Sequence, residues 1–230
     1  MKAPGRLFIV ATPIGNYQDI TLRALETLRS ADAVVCEEYR EGSTLLKRLE
    51  ILGKELITLN EHNEQEQLTL VLGRLAAGQN LALISDCGTP VFADPGAALV
   101  EMVSQAGFQV VPVPGPSSLM AALSVLDFKP ERFYYAGFLP REPEKRRAEL
   151  TRLRGLQTTL VILDTPYRLG VTLDEVGAAF GKGRRITLAC DITQPTETIH
   201  RGPVGEIRQK MKDRKAEFVL IVHPTSEKTR

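Results

Sequence analysis

Cysteine is scarce in this chain, and its spacing excludes two ways of holding a fold together. Cys36, Cys87 and Cys190 lie far apart and form neither a CxxC pair nor the close Cys/His grouping of a zinc site, so the expectation is no disulfide framework and no structural metal. Long apolar runs are also missing. No stretch approaches the ~20 apolar residues of a membrane span, and the short run in MKAPGRLFIVATPIG leads into a polar loop instead of a small-residue cleavage site. The expected location is the cytoplasm, with no membrane partner. Nor does one sign of charge dominate: Lys+Arg number 29 against 28 Asp+Glu, so no global positive field draws the chain to nucleic acid. The densest local run, Arg141 to Arg154, interleaves its cations with Glu142, Glu144 and Glu149 and reads as a solvated helix face.

What the chain does contain is enough apolar sequence for a substantial core: 230 residues, 43% of them hydrophobic. Short apolar runs alternate with stretches of helical period, the pattern of a mainly parallel sheet covered by helices. Strands are expected at 7–11, 33–36, 56–59, 81–84 and 109–113. Helices are expected between them at 21–30, 43–49, 65–77 and 97–106, with a further helix at 117–126. Lys129-Pro130 marks a linker, dividing the chain into an α/β domain over 1–127 and a second over 128–230. The second domain offers strands at 133–136, 159–163, 186–190, 197–201 and 218–222, with helices at 143–153, 168–180 and 204–211. Two of its strands follow each other without a helix between, which predicts a mixed sheet. The fold class is α/β, with two α/β domains.

Open α/β sheets bind ligands beyond the carboxyl ends of their strands. Three strand-end loops stand out: Thr12-Pro13-Ile14-Gly15-Asn16, Ser85-Asp86-Cys87-Gly88-Thr89-Pro90 running on to Asp94-Pro95-Gly96, and Pro114-Gly115-Pro116-Ser117-Ser118. Each joins glycine or proline, which fix tight backbone paths, to small polar groups able to hydrogen-bond a ligand. None is a familiar phosphate cradle: GxGxxG is absent after the first strand and GxxxxGK[ST] is absent throughout, which disfavours a Rossmann dehydrogenase or a P-loop nucleotidase.

Three further groups are candidates. Asn60-Glu61-His62-Asn63-Glu64 sets a histidine among carboxylates, a combination suited to proton chemistry, although it lacks the paired histidines of HExxH. Its plainer reading is a polar strand end with Asn63 capping the next helix. Glu37-Glu38 with Arg40 follows the second strand and is equally readable as a surface ion pair. Asp164-Thr165-Pro166-Tyr167-Arg168 opens a helix, which accounts for Thr165 and Pro166 but not for Tyr167 or Arg168. His200 and His223 are isolated and read as structural or exposed.

Taken in order, ATPIGN, SDCGTPVFADPG, PGPSS, GFLPR, TPYR and EFVLIV resemble the tetrapyrrole (corrin/porphyrin) methylase family. Within it they resemble the branch similar to the ribosomal small-subunit RNA ribose 2′-O-methyltransferases, over about residues 6 to 223. The resemblance implies a two-domain fold, the class III S-adenosylmethionine methyltransferase architecture, usually a homodimer, with S-adenosylmethionine folded up in the cleft between the domains. It places Pro13, Asp86, Cys87, Gly88, Ser117, Ser118, Leu163 and Ile192 at the cofactor. The implied acceptor is ribosomal RNA or the small ribosomal subunit. The residues that could supply a base or a cation beside the acceptor are Glu38, Arg40, His62, Tyr167 and Arg168, with no roles assigned among them.

The chain departs from that branch mainly in its second half. Glu37-Glu38-Tyr39-Arg40 replaces an acidic-Asp-Thr-Arg string, and Asp164-Thr165-Pro166-Tyr167-Arg168 replaces Glu-Ser-Pro-His-Arg. Cys190-Asp191-Ile192-Thr193-Gln194 replaces Arg-Glu-Leu-Thr-Lys with the loss of two basic groups, and relatives run further past the last strand. These departures point to a short, divergent subgroup. They leave two other readings open: methylation of a tetrapyrrole-like or other small molecule, and a module that binds S-adenosylmethionine without turnover.

Overall fold

The computed structural model describes residues 3–60, 63–91 and 96–225. The chain forms two compact units, Met1–Ser117 and Ser118–Arg230. In the first, strands β1 (Arg6–Val10), β2 (Ala33–Cys36), β3 (Glu55–Thr58), β4 (Leu81–Leu83) and β5 (Gln109–Val113) alternate with helices α1 (Leu22–Ser30), α2 (Tyr39–Arg48), α3 (Glu64–Ala76) and α4 (Ala97–Gln105). All five strands run parallel in the order β3-β2-β4-β1-β5. Alternate residues of each strand enter opposite cores. Val10, Val34 and Ala82 pack with Ala24 and Leu28 of α1 and Leu45 and Leu46 of α2. Leu7, Val35 and Leu83 pack with Val71 and Leu75 of α3 and Leu99 and Val103 of α4. Helices on both faces are why these strands read as unbroken apolar runs and not as alternating ones.

Helix α1 begins where Thr21 caps it, the Thr21 hydroxyl accepting from the Ala24 amide at 3.1 Å. Helix α2 begins at Tyr39, four residues before the expected start. Glycine makes this possible, because a Cβ on Gly42 would stand 2.8 Å from the Cys36 Sγ, and its absence lets the first turn of α2 lie close over the end of β2. Tyr39 and Arg40 are therefore helical residues rather than loop residues.

The second unit contains α5 (Ser118–Ser124), β6 (Phe133–Phe138), α6 (Pro143–Arg154), β7 (Thr159–Asp164), α7 (Leu169–Phe180), β8 (Arg185–Cys190), β9 (Thr198–Pro203), α8 (Val204–Met211) and β10 (Phe218–Val222). Its sheet is mixed, in the order β6-β7-β10-β8-β9. β6 pairs with β7 in parallel, and β10 lies antiparallel between β7 and β8. One face carries α6, α7 and α8 over Leu160, Ile162, Leu188 and Leu220. On the other face Ala122 of α5 is buried with Val161, Ala189, Val219 and Ile221. This packing assigns α5 to the second unit, so the units divide at Ser117/Ser118 and not at the expected 127/128. The proline at 130 lies inside the second unit, between α5 and β6.

His223, just past β10, is buried. Its Nε2 lies 2.9 Å from the Thr187 Oγ1, and its ring centroid lies 4.5 Å from that of Phe128. Burial pushes its pKa below the usual 6.5, with the Asp127 carboxylate opposing and the Arg185 and Arg201 cations assisting. The unfolded chain therefore takes up this proton more readily than the folded one. The stability that His223 contributes is complete above about pH 6.5 and is lost as pH falls through the depressed folded value. Urea unfolding followed between pH 7.5 and pH 5 is expected to show falling stability, with a shallower fall in His223→Gln. An unchanged slope in that variant would remove His223 as a cause.

Candidate functional site

The loops after β1, β4 and β5 come from three strands that are neighbours in the sheet, in the order β4-β1-β5. Thr12 is fully buried and exchanges both backbone hydrogen bonds with Gly88: its amide donates to the Gly88 carbonyl at 2.8 Å and its carbonyl accepts from the Gly88 amide at 3.2 Å. The Thr12 hydroxyl lies 3.3 Å from the carbonyls of both Ser85 and Gly88. The Ser85 hydroxyl turns back to the Cys87 and Gly88 carbonyls at 3.1 and 3.2 Å. Gly88 itself has φ +80°, and a Cβ there would stand 3.2 Å from the Ile14 Cγ2. The Thr89 hydroxyl donates to the Pro116 carbonyl at 3.1 Å, which ties in the third loop. Three loops far apart in sequence thus form one hydrogen-bonded assembly at the carboxyl ends of parallel strands.

Within that assembly Pro13 is buried, Asp86 and Cys87 are exposed and Ser117 is half-buried. Glu38 occupies the N-cap position of α2. Burial pushes the Cys36 thiol up to about 11, with the Asp86 carboxylate and then that of Glu38 adding to the effect. Cys36 is accordingly a protonated thiol at neutral pH. Asp86 and Glu38 both press on it, so the structure brings an acidic pair to the adjacent ends of β4 and β2. Arg40 lies exposed on the first turn of α2. His62 lies outside the described residues, as does Asp94. Asn63 holds the N-cap position of α3 but makes no side-chain cap bond, contrary to the expected capping role. Its amide oxygen instead accepts from the Asn60 amide at 2.9 Å and its nitrogen donates to the Thr58 carbonyl at 3.0 Å, closing the loop after β3 on itself.

In the second unit, Asp164 and Cys190 both stand opposite Phe218 in the sheet register, so the turns after β7 and β8 emerge at the same edge on either side of β10. Leu163 and Ile192 pack against one apolar cluster, which brings the two expected second-half contacts to one sheet face. The β8 turn is held by Asp191, which accepts from Arg214 at 2.8 Å and from the Glu217 amide at 3.0 Å. Burial, then the Asp191 carboxylate, pushes the Glu217 carboxyl above the ordinary range. Ser118 is the first residue of α5.

The β7 turn is built on a buried carboxylate. Asp164 accepts from the Thr172 hydroxyl at 2.7 Å and from the Thr165 amide at 2.9 Å, and lies 3.5 Å from the Arg168 Nε and 3.7 Å from the Arg146 Nη1. Arg146, whose Nε also pairs with Glu175, is 1% exposed. The reading of the Arg141–Arg154 run as a solvated face holds for exposed Lys145 and Arg152 but not for Arg146. The signal that marks it out is spacing, since Arg146, Leu150 and Leu153 fall at i, i+4 and i+7 on the buried stripe of α6. Arg214 carries no comparable mark.

Comparisons with known proteins extend this picture. A family profile for Tetrapyrrole (Corrin/Porphyrin) Methylases matches residues 6–208. A Ribosomal RNA small subunit methyltransferase I of Escherichia coli O157:H7 is 42% identical over 96% of this chain and 78% of its own length. The protein of the same name from Xylella fastidiosa is 38% identical over 99% of this chain and 84% of its own. Among solved structures, diphthine synthase superposes with a TM-score of 0.73 at 16% identity over 96% of this chain and 90% of its own. The uroporphyrin-III C-methyl transferase of Thermus thermophilus complexed with S-adenyl homocysteine superposes with a TM-score of 0.66 at 20% identity, over 95% of this chain and 97% of its own; at such identities the likeness bears on the fold. The chain belongs to the tetrapyrrole (corrin/porphyrin) methylase family of S-adenosylmethionine-dependent methyltransferases.

Proposed function

We propose that this enzyme methylates a ribose 2′-hydroxyl of small-subunit ribosomal RNA. The observation that carries the reading is similarity at about 40% identity, over nearly the whole chain, to relatives named for ribosomal RNA small subunit methylation. We also propose that it works in the cytoplasm as a homodimer. The edge strand β6, with Phe133 and Phe138 exposed, is the apolar surface that supports self-association.

The residues present suit the cofactor. Gly88 leaves the space beside Ile14 clear of a side chain, and Asp86 and Cys87 lie exposed on the β4 loop that Thr12 holds in place. The Asp86 and Glu38 carboxylates give that end of the sheet a negative potential, which suits a sulfonium and an ammonium. The residues proposed to hold it are Pro13, Asp86, Cys87, Gly88, Ser117, Ser118, Leu163 and Ile192. When bound, S-adenosylmethionine supplies an already activated methyl group, so the protein's task is chiefly to hold the acceptor oxygen in line. Glu38 and His62 are the groups suited to receive the hydroxyl proton. Arg40 and Arg168 are suited to lower the hydroxyl's pKa or to hold phosphate, and Tyr167 to contact the acceptor.

Two outcomes are expected. Radiolabelled methyl is transferred from S-adenosylmethionine to small ribosomal subunits prepared from a strain lacking this activity, and the label maps to a ribose 2′-oxygen; label recovered only in a small-molecule extract would move the reading to a tetrapyrrole-like acceptor. Gly88→Val forces a β-branched residue into a left-handed conformation at a cost of about 1–3 kcal/mol. It should weaken calorimetric S-adenosylmethionine binding by about tenfold or more while leaving far-UV circular dichroism unchanged.

A further inference from the structure

The turn after β7 carries features that strand-end geometry does not require. Tyr167 is 78% exposed, and the Lys215 Nζ stands 4.8 Å from its ring centroid. Its neighbour Arg168 is positioned by Asp164, and its side chain remains 25% exposed. An aromatic plane flanked by two cations matches how single-stranded RNA is held: bases stack on rings and phosphates pair with guanidinium or ammonium groups. Beneath the turn, Arg146, Asp164, Arg168 and Glu175 form a network with two positive and two negative groups. Burying ions is costly, and a well-packed apolar replacement often serves stability as well or better. What this network does that an apolar one could not is hold the Asp164 carboxylate from three sides, by Thr165, Thr172 and Arg146, so that the Arg168 guanidinium faces a negative charge of fixed position. The Arg146 Nη1 is buried with no hydrogen-bond partner, 3.7 Å from Asp164, so its contribution there is charge and position.

We propose that this turn is a nucleotide subsite for the acceptor RNA, resting on the function proposed above. In it Tyr167 stacks on a base and Arg168 and Lys215 take phosphates. Arg146, acting through Asp164, is a positioning residue that sets where the Arg168 guanidinium stands. Arg168 suits a phosphate because its planar fork presents paired donors to two oxygens.

The test is steady-state methyl transfer to undermethylated small subunits over a range of salt, with S-adenosylmethionine affinity measured alongside. Tyr167→Ala should raise the KM for subunits roughly tenfold or more, with Tyr167→Phe recovering most of the loss because the ring is kept. Arg168→Gln should raise that KM and reduce the slope of log kcat/KM against log salt by about 1. Arg146→Lys should act in the same direction, and Arg146→Lys with Arg168→Gln should be no worse than Arg168→Gln alone. Thr172→Val, which removes one hydroxyl from Asp164 without removing a charge, supplies the same comparison should Arg146→Lys fold poorly. Subunit KM unchanged in Tyr167→Ala and Arg168→Gln would overturn the subsite. An Arg146 or Thr172 effect that adds in full to Arg168→Gln, or that weakens S-adenosylmethionine equally, would reduce Arg146 to a structural role. A wild-type enzyme that transfers no methyl to subunits would instead refute the underlying reading.

Discussion

The paired backbone hydrogen bonds between Thr12 and Gly88 are the constraint on which the first unit's site depends. Parallel strands end without hairpins, so the loops that leave them have no partner strand to order them. Here the β1 and β4 loops order each other. Thr12 is fully buried and commits its amide, carbonyl and hydroxyl to the β4 loop, and Thr89 extends the tie to Pro116. The loops are therefore set by the sheet before any ligand arrives, which lowers the ordering cost of binding. The left-handed backbone at Gly88 is part of the same device, because the reciprocal pairing runs through that residue.

The second unit solves a similar problem with charge. Its β7 and β8 turns leave the sheet on either side of β10, and each closes around an aspartate: Asp164 with Thr165, Thr172, Arg146 and Arg168, Asp191 with Arg214 and the Glu217 amide. Backbone pairing orders the loops of the first unit, whereas ion pairs and side-chain hydrogen bonds order the turns of the second.

Much of the fold is legible in the sequence because burial on both faces leaves a plain mark. Ala33–Cys36 and Phe218–Val222 are apolar at every position, and both are fully buried strands with the expected bounds. The start of α2 is not legible, because the helix begins over a glycine contact with Cys36 that only the tertiary structure supplies. The division of the units escapes local pattern too: a proline at 130 signals a break in regular structure, whereas the unit boundary follows the burial of Ala122. The three loops are legible as a set from their glycines, prolines and small polar groups. Their joining is not, since strand order β4-β1-β5 depends on crossovers that no local pattern encodes. Arg146 is legible in principle, by its spacing from Leu150 and Leu153, but the surrounding charges obscure the stripe.

Amide hydrogen exchange in the presence and absence of S-adenosylhomocysteine is the most direct test of the proposed cofactor site at the joined loops after β1, β4 and β5. Slowed exchange is expected in peptides covering 12–16, 85–90 and 115–118. Protection confined to another surface, such as the open groove lined by Glu55, Thr69, Leu70 and Arg74, or no protection at saturating ligand, would contradict it.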